Sequence, residues 1–149
     1  MRRPVRPVTR FLLALALVAR LGVPATAADN TQPVSGFLVS AATSNTAVGS
    51  LTAAVSPFGL AQGTLSFTSL DPATGAFTAS FVLANRNGSV SGAVSGQFIS
   101  QTQYLETITF TGGTGAYAGA TGGAALFGVT DPVTHVGVDV VLTGSVSFP

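Results

Sequence analysis

Residues 76–90 read Ala-Phe-Thr-Ala-Ser-Phe-Val-Leu-Ala-Asn-Arg-Asn-Gly-Ser-Val. In an extended chain, Phe77, Ala79, Phe81 and Leu83 share one face, while Thr78, Ser80 and Val82 take the other. Alternation at period two is the signature of a strand with one side in a core. It stops at Asn87-Gly88, a pair suited to a type I′ hairpin turn whose twist matches the flanking strands. The stretch therefore predicts two antiparallel strands joined by a tight reversal.

The same pattern extends in both directions. Upstream, Asp71-Pro72-Ala73-Thr74-Gly75 puts proline where its fixed φ starts a turn and glycine where a left-handed residue is wanted. Downstream, Val136, Val138, Val140, Leu142, Val146 and Phe148 fall in one phase, with Asp139, Thr143, Ser145 and Ser147 in the other. Eight strands are expected, over about 34–42, 47–56, 61–69, 76–84, 89–99, 103–110, 122–130 and 135–148. An open sheet of eight consecutive hairpin strands leaves two bare edges, and closure removes them. The expected fold is all-β, an eight-stranded antiparallel β-barrel of consecutive hairpins.

An internal repeat points to two halves. Gly63, Phe67, Asp71, Pro72 and Thr74 recur sixty positions on as Gly123, Phe127, Asp131, Pro132 and Thr134. The same offset relates Gly36-Phe37-Leu38-Val39-Ser40 to Gly96-Gln97-Phe98-Ile99-Ser100.

Before the strands lie Arg2, Arg3, Arg6 and Arg10, an apolar run from Phe11 to Val18, and Ala25-Thr26-Ala27. A basic start, a short apolar stretch and an Ala-x-Ala site form a cleavable signal peptide. The run is too short to span a bilayer. Residues 1–27 are therefore expected to be removed, leaving 28–149 as a single secreted or periplasmic domain with no membrane span. Cleavage takes five of the six arginines. Arg86 then stands against Asp29, Asp71, Glu106, Asp131 and Asp139, a side-chain charge of −4 in place of +1. With no lysine anywhere, nucleic acid is not an expected partner. There is no cysteine, hence no disulfide. The alternating apolar interior, with Tyr104 and Tyr117 as the only tyrosines and no tryptophan for aromatic girdles, argues against an outer-membrane barrel.

The segment Ile108-Thr109-Phe110-Thr111-Gly112-Gly113-Thr114-Gly115-Ala116-Tyr117-Ala118-Gly119-Ala120-Thr121-Gly122 is the most distinctive in the chain. Its glycines permit backbone angles closed to other residues and close approach of neighbouring chain. A phosphate-cradling loop would continue into Lys-Ser or Lys-Thr, and this one does not. The segment resembles the strand, glycine turn and small-residue run of bacterial exported proteins related to allene oxide cyclase and dirigent proteins. Looser similarity runs over about 61–148. The resemblance implies an eight-stranded barrel with an apolar interior and, from the plant members, a small apolar ligand or a reactive apolar intermediate. It transfers no catalytic residue onto this chain, because only the turn motif aligns.

Few side chains are left to carry chemistry. Glu106 shares a phase with Tyr104, Ile108 and Phe110, so its carboxyl is a candidate to face an apolar interior, where burial makes it a general acid or base. The alternatives are a place near the strand's open end, or Leu105 as the inner phase. Tyr104, Glu106 and Tyr117 are the candidate ligand contacts. His135, the only histidine, takes the position of Gly75 in the repeat and is assigned to the turn, in phase with Asp139 on the outer face. His135 and Asp139 fall short of a metal's usual ligand set, and no cofactor is expected. Two functions follow: an exported non-catalytic barrel that binds a small apolar ligand or serves as an interaction module, or an allene oxide cyclase/dirigent-like enzyme.

Overall fold

A computed structural model describes residues 30–42 and 47–149, and the predicted leader, 1–27, lies outside the described residues. The strands are β1 (Asn30–Pro33), β2 (Ser35–Ala42), β3 (Val48–Ser56), β4 (Gly59–Leu70), β5 (Ala76–Asn85), β6 (Gly88–Phe98), β7 (Gln103–Gly113), β8 (Thr121–Thr130) and β9 (Val136–Phe148). Successive strands from β2 to β9 pair antiparallel, and β9 also pairs with β2, which closes an eight-stranded barrel. The expected fold class is thus the observed one, with one strand added. Asn30-Thr31-Gln32-Pro33 carries no apolar alternation, yet it extends the β2 edge by pairing with Ser145–Phe148 of β9.

Inward side chains on β5 are Phe77, Ala79, Phe81 and Leu83, all buried, as the alternation predicts. On β6 they are smaller: Val90, Gly92, Val94 and Gly96. The two glycines pair directly with Phe81 and Phe77 of β5. A Cβ at Gly92 would lie 2.6 Å from the Phe81 ring, and one at Gly96 would run into the Phe77 ring. Each ring therefore lies down over the neighbouring strand's glycine. Tyr104 of β7 repeats the arrangement on Gly128 of β8, its cross-strand partner.

The β9 phase is half right. Val146 is fully buried and Phe148 packs against the core, but Val138, Val140 and Leu142 point outward, at 43, 49 and 60% exposure. Gly137, Asp139 and Val141 point inward instead. The register against β8 slips between Ala125 and Leu126, with Leu142 as the extra residue. Such a bulge reverses the side-chain phase on its far side. Asp139 is consequently inside, not on the outer face with His135.

The sixty-residue repeat is real in its turns. Asp71 and Asp131 each accept hydrogen bonds from the backbone two residues on, Ala73 N at 2.9 Å and Val133 N at 2.8 Å. Gly75 N and His135 N then close the turns on the carbonyls of Asp71 and Asp131, at 2.7 and 2.8 Å. Gly75 has φ +73° and His135 φ +56°, the left-handed geometry the alignment implies. The second match does not carry over: Ala41 faces Val136 where Gln97 faces Ala76, a different offset. The β5–β6 reversal also differs from the predicted type I′ turn. It centres on Arg86-Asn87, and His135 is the only non-glycine residue with positive φ among the described residues. Asn85 makes the difference, because its Oδ1 accepts Asn87 N at 2.8 Å and fixes an Asx-type turn.

Left-handed backbone is strained for a residue with a Cβ and free for glycine. His135→Gly is expected to raise stability by up to about 1 kcal/mol, whereas Gly75→Ala lowers it by about 1 kcal/mol. Equilibrium denaturation of both variants checks the opposite signs.

Candidate functional site

Two inward rows of the wall bring the polar groups together. One runs Phe98, Tyr104, Gly128, Asp139 and Leu38 across β6, β7, β8, β9 and β2. The adjacent row runs Phe77, Gly96, Glu106, Leu126 and Val141. Because the rings lie flat over glycines, the barrel axis is not filled. A cavity of about 210 Å³ remains, walled mainly by apolar side chains, with Phe58, Phe77, Phe81, Phe98, Tyr104 and Phe110 among them. Its polar wall consists of Ser40, Glu106, Thr130, His135, Asp139 and the Tyr104 phenol.

Glycines make room for this polar arc. A Cβ at Gly128 would strike both the Tyr104 ring and Asp139 Oδ1, and one at Gly137 would lie 2.9 Å from the Tyr104 hydroxyl and 2.7 Å from Ser40 Oγ. Asp139 is 4% exposed, and its Oδ1 has no hydrogen-bond partner. Burial raises both carboxyls: Glu106 to about 8, helped by the negative charge of Asp139, and Asp139 to about 6, opposed by a hydrogen bond from Tyr104. Burial raises the Tyr104 phenol as well, with the two carboxylates adding to it. Near neutral pH the pair holds a proton that carboxyls in water would give up.

The opposite end is plugged. Phe58 packs against Phe110, Tyr117 and Phe148 with ring centroids 5.4, 5.2 and 6.1 Å away. Asn85 ties the plug down, donating from Nδ2 to the Phe58 carbonyl at 2.6 Å and to the Tyr117 hydroxyl at 2.9 Å. The Tyr117 hydroxyl also reaches the Phe58 carbonyl at 3.3 Å. The glycine segment closes over this end, with Thr114 N and Ala116 N bonded to the carbonyls of Ser89 and Asn87.

Of the sequence candidates, the structure brings Tyr104 and Glu106 to the cavity wall and leaves Tyr117 in the plug, its hydroxyl engaged. The alternative inner phase for β7 is excluded, since Leu105 is 47% exposed. His135 keeps its turn position and also borders the cavity. Asp139 is the residue that sequence reasoning missed, because a run of valines in the opposite phase outweighed it. The signal available was Gly137 and Gly128, small residues out of place in strands unless something approaches them closely.

A carboxyl whose folded pKa lies above its unfolded value stabilises fully below the unfolded pKa and loses that contribution as pH rises through the folded one. Stability is therefore expected to fall between about pH 4 and pH 8. Asp139→Asn and Glu106→Gln each flatten that slope and raise stability at pH 8 by on the order of 1–3 kcal/mol. Thermal melts across the range check it, and an unchanged slope in the double variant contradicts it.

No family model matches the chain, and no curated protein matches it. Among solved structures, pyocyanin demethylase is similar over 74% of this chain and 97% of its own, at 15% identity and a TM-score of 0.38. So slight a likeness carries nothing about chemistry.

Proposed function

We propose that this protein is exported and that its barrel is a container for a small, largely apolar molecule of aromatic size. The observation that carries the reading is the cavity itself, since an eight-stranded barrel has an interior narrow enough for its own side chains to fill. Here the rings are folded back against the wall. An apolar chamber with a few converging polar groups is the usual form of a small-molecule site. The leader supports action outside the cytoplasm, and among the described residues the one arginine, Arg86, lies in a turn.

A second reading, the allene oxide cyclase/dirigent-like enzyme, is favoured by one observation. Glu106 presents a carboxyl that keeps its proton to an apolar chamber, which is what a general acid or base acting on an apolar intermediate needs. Fold likeness alone does not choose between the two.

In a bacterial host the whole chain is expected to yield a processed product beginning at Ala28, read by intact mass. Native mass spectrometry of that product should retain a small molecule, or accept 2-naphthylmethanol with saturation. Val141→Trp, which adds a ring to the cavity wall in the row of Glu106, should abolish uptake while leaving the β-sheet circular dichroism unchanged. Equal uptake by the variant contradicts the container. Turnover of any retained molecule that Glu106→Gln abolishes without loss of binding would select the enzyme.

A further inference from the structure

Resting on the reading of the barrel as a container, we infer that the molecule it takes is an aromatic organic cation, whose charged nitrogen sits against Asp139 and Glu106. Asp139 is almost wholly buried, borders the cavity, and leaves Oδ1 without a hydrogen-bond partner. An unpaired buried carboxylate oxygen is costly, and native structures rarely leave one without a purpose. The groups that face it are Tyr104 and Ser40 beside Gly137 and Gly128, Glu106 on the adjacent row, and Thr130 and His135 farther along the wall.

None of the neighbours supplies a fixed positive charge. Arg86 lies in the β5–β6 turn, at the plugged end, and His135 is an exposed residue of the β8–β9 turn. Two carboxyls therefore stand together in an apolar chamber without a cationic partner from the described residues. An anionic ligand is repelled by them. A neutral donor satisfies Oδ1 but gains no charge–charge attraction from either carboxyl. A cation uses both.

The walls fit the same occupant. Phe77, Phe98 and Tyr104 form a mutually packed group, with centroid separations of 5.5, 5.7 and 5.3 Å, around the carboxyl rows. Ring faces attract a cation most strongly where water is excluded. Seating the cation favours the ionised form of both carboxyls, so the proton held by the empty site leaves to solvent as the ligand enters.

Three probes of one shape separate the possibilities: 2-naphthylmethylamine, 2-naphthylmethanol and 2-naphthoate, titrated calorimetrically into the processed protein. The ammonium is expected to bind at least about tenfold more tightly than the alcohol, and the carboxylate weakest. Asp139→Asn should remove the ammonium's advantage and leave alcohol binding in place. In the wild type, ammonium affinity should rise with pH between about 5 and 8 while alcohol affinity does not. Alcohol binding as tight as ammonium binding, or naphthoate binding tightest, overturns the cation and leaves the container standing. Failure of all three, with nothing retained in native mass spectrometry, overturns the container itself.

Discussion

The structure depends on aromatic rings laid over glycines of the neighbouring strand. Phe77 on Gly96, Phe81 on Gly92 and Tyr104 on Gly128 are cross-strand pairs in which the ring replaces the missing side chain. Glycine within a strand ordinarily weakens it, and a covering ring recovers the lost burial. A phenyl ring held this way still removes its area from water, worth about 1.5–3 kcal/mol. What it does not do is reach across the axis. The interior of an eight-stranded barrel is narrow enough for side chains to fill, and laying these rings on the wall contributes to the space left open.

A hollow apolar interior then sets the terms for the two carboxyls inside it. Moving charge out of water is expensive, and among the described residues no guanidinium or ammonium compensates it. Glu106 and Asp139 respond by holding a proton: burial raises both, the negative charge of Asp139 raises Glu106 further, and a hydrogen bond from Tyr104 works against the rise at Asp139. Their burial therefore costs folding stability. Residues retained at such a cost are concentrated at functional sites.

Much of the barrel was legible in the sequence because its signals are local. Alternation and turn chemistry located eight strands, and the repeat placed His135 in the left-handed position that Gly75 occupies. Glu106 was legible by phase, since β7 keeps strict alternation from Tyr104 to Phe110. Asp139 was not, because the bulge at Leu142 is a property of pairing with β8, and within β9 only Gly137 marked the inner phase. With Val138, Val140 and Leu142 apolar on the outside, hydrophobicity pointed to the wrong face. Tyr117 stands among small residues in the sequence, and in the structure its ring packs into the plug, where Asn85 takes its hydroxyl.

The two matching hairpins show how the polar half of the cavity arises. β4–β5 and β8–β9 share the Asp-Pro-x-Thr turn and the register beside it: Leu70 faces Phe77 as Thr130 faces Gly137. From that common frame the inward residues diverge. Phe77 and Ala79 in the first hairpin correspond to Gly137 and Asp139 in the second. The exchange removes a ring and inserts a carboxyl at equivalent points of the wall. The space vacated at Gly137 admits the Tyr104 hydroxyl, and the carboxyl two residues on lies beside the same tyrosine. The first half thus contributes most of the apolar wall, Ser40 apart, and the second contributes Tyr104, Glu106, Thr130, His135 and Asp139. The chamber is asymmetric even though two of its hairpin turns repeat. Tyr104, Glu106 and Asp139 thus line the chamber together with Phe98 and Phe110, while the first half of the chain lines it with apolar side chains apart from Ser40.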